Sequence, residues 1–188
     1  MTIGPKRTLA RATGIDIPPR SLVIADAQLI EEFLRLDKMD VLGSYQLTIM
    51  VSNHLGAGIR DREHQVRYRQ AIADCHIHEA EIREMTELET FLRLDASSRL
   101  SACERAGLAL ALHRRCKLVI DHNRALAKAI NEAGIDTRAL VICHPREIVL
   151  DLIRAQSLSA DAAVRMKASW SFLGGDQDVI GSLPPVTS

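Results

Sequence analysis

The stretch Leu-Val-Ile-Ala-Asp at residues 22–26 and the similar stretch Leu-Val-Ile-Asp at residues 118–121 decide the fold. Each is a short apolar run that ends at an aspartate, a pattern typical of a buried parallel strand. After the first run, apolar residues recur at positions 29, 30, 33 and 34, which predicts a helix with one buried face. Strands alternate with helices in this way along the chain. That order predicts an α/β protein with a mostly parallel sheet covered on both faces.

Other elements follow from the same kinds of pattern. We predict a second strand at residues 47–51, with Ser52 or Asn53 as the cap of the helix after it. Further strands are predicted at 117–120 and 138–142. Predicted helices lie at 60–72, 82–94 (with an apolar set at Met85, Leu88 and Leu92), 101–115, 125–133, from Pro145 onward, and 160–172.

The length and composition indicate one folded domain. The chain has 188 residues, and 47% of them are hydrophobic, so it can bury a core and is not wholly disordered. Glycines and prolines cluster at both ends. We therefore predict an irregular basic tail at residues 1–20, one α/β domain at 21–173 and a second irregular tail at 174–188.

The balance of positive and negative residues limits the kinds of partner that we expect the protein to bind. Lys and Arg number 24 and Asp and Glu number 24, which excludes a strongly basic nucleic-acid coat but leaves room for a local basic groove. Aromatic residues make up only 3%, too few for a base-stacking platform. No apolar run approaches the length of a membrane span, and residues 1–20 lack the apolar stretch of a secretory signal. We therefore expect a cytoplasmic protein that does not enter a membrane.

Three carboxylates are expected to meet at one edge of the sheet. Asp26 and Asp121 directly follow two strands, and the carboxyl ends of parallel strands share an edge. Glu104 begins the helix that leads into the second of these strands, which places it near the same edge. Converging carboxylates repel each other, and a divalent cation such as Mg²⁺ or Mn²⁺ removes that repulsion. The chemistry implied is metal-assisted hydrolysis of a phosphodiester.

Each of these acids also has a purely structural interpretation. Asp26 and Asp121 can cap the helices that follow them. Ser101 and Glu104 have the spacing of a capping box, in which the glutamate binds the backbone amide of the cap residue. The sequence has no G-x-G-x-x-G after the first strand, no P-loop and no G-x-S-x-G, so other nucleotide folds and α/β hydrolases fit less well.

Four parts of the sequence resemble the PIN-domain nucleases, above all the toxin-like bacterial branch of that family. They are residues 22–27 with 36–42, residues 100–106 with 108–111, residues 118–127 and residues 149–155. In that order they resemble the family's opening strand and helix, its acidic third motif, its fourth-strand motif and a late helix. The resemblance covers residues 21–165, and the order and spacing of the stretches carry it.

The resemblance implies a three-layer α/β/α fold and a ribonuclease that uses Mg²⁺ or Mn²⁺ held by acids. Asp26, Glu104 and Asp121 match three of the family's acidic positions, as metal ligands and catalytic residues. It also implies RNA as the substrate, a homodimer, and a small antitoxin protein as the partner of a toxin.

The sequence departs from the family pattern after the second strand, where Ala57 and Gly58 stand in place of an expected glutamate. Asp61 or Glu63, one turn later, can substitute for that acid, or the acid is absent. His122 also stands where the family often has a second acid. Fewer carboxylates mean weaker metal binding. The alternative function is therefore a catalytically impaired PIN-like domain that binds nucleic acid or a protein.

A group of arginines is the candidate RNA-binding surface. Its members are Arg60, Arg62, Arg67, Arg69 and Arg124. Arginine pairs with phosphate in a fork geometry, so these side chains can follow an RNA backbone. The alternative is an ordinary solvated helix face.

Overall fold

The computed structural model describes residues 20–95, 100–121 and 124–169. The two predicted tails, apart from Arg20, lie outside these residues, and so does His122. Within the described ranges, no helix has both the length and the apolar character needed to cross a membrane.

The described residues contain one five-stranded parallel sheet. Its strands are β1 (Ser21–Ile24), β2 (Thr48–Ser52), β3 (His78–Ala80), β4 (Lys117–Val119) and β5 (Ile142–Cys143). Their order across the sheet is β3-β2-β1-β4-β5, and every pairing is parallel. The strand β1 is therefore central, with Ile24 paired to Val51 of β2 on one side and to Val119 of β4 on the other.

The side chains of β1 and of Ala25, which follows it, alternate between two hydrophobic cores, because successive residues of an extended strand point to opposite faces of the sheet. Leu22 and Ile24 belong to one core, and Val23 and Ala25 belong to the other. All four residues are buried. The sheet thus has an apolar layer on each face, which is the α/β/α sandwich that the sequence predicts.

Two sets of helices form the outer layers. The first core is covered by α1 (Ala27–Arg35), α2 (Met39–Gly43), α3 (Asn53–Gly58), α4 (Arg62–Ala73), α8 (Pro145–Arg154) and α9 (Ala160–Ser169). The second core is covered by α5 (Met85–Asp95), α6 (Ala102–Arg114) and α7 (Arg124–Glu132). The predicted helices agree with these bounds to within a few residues, and α2 is a short helix that the sequence patterns do not indicate.

Two strands differ from the expectation. The strand β5 is Ile142–Cys143 rather than 138–142. The reason is a turn, in which the Asp136 carboxylate accepts the backbone N–H of Arg138 at 3.0 Å. The strand β3 is not predicted at all, because it has three residues, lies at the edge of the sheet and contains no apolar run.

Helix α5 turns its predicted apolar set towards solvent. Met85, Leu88 and Leu92, the predicted apolar set, are 68%, 39% and 53% exposed. The buried side instead carries Glu87, which is 1% exposed and pairs with Arg114 of α6 at 2.7 Å. An ion pair therefore contributes to holding this helix against the second core.

Candidate functional site

The course of the chain creates a crevice at the carboxyl ends of β1 and β4. From β1 the chain runs outward to β2 and β3 and then returns to the other side of β1 to form β4. The connections leave these two central strands in opposite directions. Such a topological switch point is where open parallel sheets bind ligands.

Asp26 and Asp121 stand at the same level on the two strands that flank this crevice. Ile24 pairs with Val119, and each aspartate comes two residues after its member of that pair. The Ala25 N–H donates to the Val119 carbonyl at 2.9 Å, so the strands stay paired up to the aspartates. Because neighbouring strands lie about 5 Å apart, the two acidic residues sit side by side at the sheet edge.

Asp26 has a structural role and also a perturbed carboxyl group. It is the N-cap of α1, and its Oδ1 accepts the Leu29 N–H at 3.0 Å, which confirms the capping interpretation. Burial raises the pKa of Asp26, and the negative charges of Asp121 and Glu104 raise it further, against the opposing effect of backbone N–H groups. Asp26 is therefore close enough to Asp121 and to Glu104 to be affected by the charge of each.

Glu104 also has a structural role. Its Oε2 accepts the Ser101 N–H at 2.7 Å, while the Ser101 hydroxyl accepts the Glu104 N–H at 3.2 Å. This is the capping box predicted from the spacing of the two residues. The box holds the carboxylate at the start of α6, so Glu104 acts on Asp26 through its charge.

The buried thiol of Cys103 connects α6 with the carboxyl ends of β1 and β2, close to the acidic residues. Cys103 donates from its thiol to the Ala25 carbonyl at 3.5 Å, and the buried Ser52 hydroxyl donates to the Cys103 sulfur at 3.7 Å. Burial raises the pKa of Cys103 to about 11. The thiol is therefore a neutral contact between α6 and the ends of β1 and β2, and not a nucleophile.

Asp121 has a histidine neighbour that the sequence analysis missed. The Nε2 of His144 lies 3.3 Å from the Asp121 Oδ1. The Nδ1 of His144 accepts the Arg146 N–H at 3.1 Å as the cap of α8, so the ring hydrogen of the neutral form is on Nε2. The imidazole thus turns its donor towards Asp121. The signal in the sequence is the His-Pro-x-Glu run at residues 144–147, directly after a strand. Pro145 alone predicts a helix start there, and it does not point to His144.

The two predicted substitute acids are engaged at the start of α4. Asp61 caps that helix by accepting the His64 N–H at 2.8 Å. Glu63 pairs with Arg67 one turn later on the same helix. Each carboxylate thus has a local structural role. After the neighbouring strand β2, the position that corresponds to Asp26 is held by Asn53, the first residue of α3.

The candidate RNA-binding arginines divide into two kinds. Arg67 donates to the Leu34 carbonyl at 2.7 Å and so fastens α4 to α1. The others are exposed: Arg60, Arg62, Arg69 and Arg124. Of these, Arg69 lines a cleft beside Asn53.

The donors at the sheet edge fit a hydrated divalent cation better than a closed cage. Within the part of the chain that the structure describes, no group of three or more His, Cys, Asp or Glu side chains is placed to hold a metal ion. Mg²⁺, however, is commonly held by one or two carboxylates and keeps several waters. Asp26 and Asp121 supply two carboxylates at this edge, and Glu104 adds negative charge from its capping box.

Compared with known protein families, curated proteins and solved structures, the chain gives no match.

Proposed function

We propose that the protein is a PIN-like, Mg²⁺- or Mn²⁺-dependent endoribonuclease that hydrolyses RNA phosphodiesters. The observation that carries the proposal is the register of β1 against β4, which sets Asp26 and Asp121 side by side at the switch point. The raised pKa of Asp26 supports it, because buried, mutually repelling carboxylates are favoured where a cation neutralises them.

The residues of this edge have separate tasks in the proposed reaction. A bound Mg²⁺ or Mn²⁺ ion supplies positive charge for the phosphodiester and lowers the pKa of a bound water. Asp26 and Asp121 hold the ion, and Glu104 increases the negative potential that attracts it. His144 orients Asp121 through its Nε2 hydrogen. In this proposal no side chain acts as a covalent nucleophile.

The proposal extends to the biological setting implied by the resemblance. It includes a cytoplasmic location, a homodimer and a small antitoxin protein that inhibits the nuclease. Light scattering during size-exclusion chromatography tests the dimer. Co-expression with any small protein encoded beside its gene tests the antitoxin.

The second candidate is a catalytically impaired PIN-like domain that binds nucleic acid or a protein. It is favoured by Ala57 and Gly58, which supply no carboxylate after β2, and by the use of Glu104 in a capping box. Such a domain keeps the fold but cleaves nothing.

One experiment separates the two candidates. A labelled RNA of mixed sequence is incubated with the protein in Mn²⁺ or in EDTA. The Asp26→Asn/Asp121→Asn double variant is tested beside it, with Asp161→Asn, an exposed acid on α9, as the matched control. We expect cleavage by the wild type and the control in Mn²⁺ alone. Equal cleavage by the double variant would mean a contaminating nuclease, and no cleavage by any protein would favour the binding domain.

A further inference from the structure

A cleft opens beside the acidic edge, between α3, α4 and β3. Its volume is about 400 Å³, which is within the range of small-molecule sites. Its polar lining comes from Asn53, Gln65, Tyr68, Arg69 and Glu79. Because Ile24 pairs with Val51, Asn53 at the start of α3 and Asp26 at the start of α1 each come two residues after a paired strand position. Asn53 therefore sets one end of the cleft one strand away from Asp26, while Glu79 lies on β3, two strands away from β1.

The acceptor in the cleft is the Glu79 carboxylate. Its Oε1 accepts the hydroxyl of Tyr68 at 2.8 Å, and Tyr68 is only 4% exposed. This bond fixes the position of the carboxylate and raises the pKa of the Tyr68 hydroxyl, which burial raises most. A carboxylate has about four acceptor positions, so Glu79 keeps free acceptors after binding Tyr68.

The donors in the cleft are available to a ligand. Arg69 is exposed, and among the described residues its guanidinium forms no hydrogen bond or ion pair. The same holds for the side-chain amide of Asn53 in the described part of the chain. Gln65, by contrast, donates to the Ile59 carbonyl at 2.8 Å, which ties it to the wall of the cleft. The cleft thus combines one fixed anion with one unpaired cation.

We propose that this cleft binds a guanine nucleotide. Guanine has two adjacent N–H donors on one edge, which match the two oxygens of a fixed carboxylate. Adenine and cytosine place an acceptor beside their amino group, and uracil places acceptors on both sides of its single N–H, so Glu79 repels part of each edge. The Arg69 guanidinium is suited to the nucleotide's phosphate.

The inference deepens the proposed function, on which its RNA context rests. In that context, a guanosine held by Glu79, two strands away from β1, would bring a nearby phosphodiester of the same RNA strand within reach of Asp26 and Asp121. The nuclease would then prefer RNA with a guanosine next to the cleaved bond. Binding of the free nucleotide, however, needs neither metal nor cleavage, so it can be measured independently.

The test measures nucleotide binding in EDTA by NMR chemical-shift titration. The protein is titrated with the 5′-monophosphates of guanosine, adenosine, cytidine and uridine. We expect guanosine monophosphate to bind about tenfold more tightly than the others. Glu79→Gln should remove that preference, because an amide presents one donor and one acceptor. Glu81→Gln, an exposed acid outside the cleft lining, is the matched control and should retain it.

A second variant keeps the test decisive if Glu79→Gln folds poorly. Arg69→Gln changes an exposed side chain, and it should make guanosine and its monophosphate bind equally well, whereas the wild type prefers the monophosphate. Equal binding of all four nucleotides to the wild type, or an unchanged preference in Glu79→Gln, would overturn the inference.

The two proposals fail in different ways. Binding of guanosine monophosphate in the cleft without metal-dependent cleavage would support the inference and contradict the nuclease proposal. Metal-dependent cleavage with no guanine preference and no nucleotide binding would contradict the inference alone.

Discussion

Gly107 of α6 lies directly against Ala25, the residue that follows β1, so closely that a Cβ on Gly107 would overlap the Cβ of Ala25. Ala25 immediately precedes Asp26. Glu104 is three residues before Gly107, which puts it on the same side of α6. The close approach of helix and strand is therefore what brings the charge of Glu104 to Asp26, whose pKa it helps to raise.

Replacing Gly107 by Ala should destabilise the protein. In a helix interior, replacing glycine by alanine would by itself increase the stability by about 1 kcal/mol. Here the new methyl group meets a buried strand, and such overpacking costs about 1–3 kcal/mol. We expect a net loss, measured as a lower free energy of unfolding in urea.

The matched control is Gly58→Ala at the end of α3. A Cβ on Gly58 meets no atom within 4 Å, so we expect a neutral change or a gain of up to about 1 kcal/mol. If Gly107→Ala proves as stable as Gly58→Ala, the close contact between α6 and β1 is not as described.

Asp26→Asn should raise the melting temperature at neutral pH in EDTA. Asparagine caps a helix as well as aspartate does, and it removes the charge that burial and neighbouring acids disfavour. The folded pKa is raised, so ionisation of Asp26 weakens the fold as the pH rises from the ordinary value of 3.8 through that folded pKa. The advantage of the variant should therefore vanish below pH 3.8.

Mn²⁺ should stabilise the wild type but not a variant that lacks the carboxylates of Asp26 and Asp121. A cation that binds only the folded state raises its stability. We expect Mn²⁺ to raise the melting temperature of the wild type and of Asp161→Asn, but not that of Asp26→Asn/Asp121→Asn. If Mn²⁺ leaves the melting temperature of the wild type unchanged, the proposed metal site is contradicted.

The Glu87–Arg114 pair should make the free energy of unfolding depend on pH in the acid range. Bonding to Arg114 lowers the pKa of Glu87 from 4.5 to about 2, and Glu87 is 1% exposed. The ionised form therefore stabilises the fold by about 1.5–3 kcal/mol, fully above pH 4.5 and progressively less as the pH falls towards 2. Glu87→Gln should lose about that amount at pH 7 and show a flatter acid profile in urea unfolding. Glu89→Gln, on the exposed side of α5, should behave as the wild type.

Local patterns were enough to predict much of the fold and part of the site. The capping bonds of Asp26 and Glu104 join residues three apart, so their spacing in the sequence reveals them. The apolar runs of β1 and β4 are visible for the same reason. Which strand neighbours which is not a local property, and the side-by-side placement of Asp26 and Asp121 depends on it.

The cleft could not be predicted, because its parts come from elements with weak or misleading patterns. Glu79 lies on a three-residue edge strand, and Tyr68 lies on a helix whose pattern indicates only a charged, solvated face. Helix α5 is a similar case. The spacing of Met85, Leu88 and Leu92 predicts a buried face, but the ion pair of Glu87 turns the opposite face towards the core.

Gly56 of α3 controls the approach of Tyr68 and Glu79 to the cleft wall. A Cβ at this position would lie 2.7 Å from Tyr68 Cε1 and 3.1 Å from Glu79 Oε1. The ring of Tyr68 is buried and cannot turn aside freely, so Gly56→Ala must displace it and stretch its bond to Glu79. We expect a loss of about 1–3 kcal/mol in the free energy of unfolding and weaker binding of guanosine monophosphate.

Tyr68→Phe separates the two consequences of that change. It removes the hydroxyl that fixes Glu79 but keeps the ring beside Gly56, so the stability lost should be only about 1 kcal/mol, that of one hydrogen bond. The preference for guanine should fall in both variants, because the carboxylate is no longer held in place. Gly56→Ala with unchanged stability and unchanged nucleotide preference would show that this glycine is not what lets the ring and the carboxylate meet.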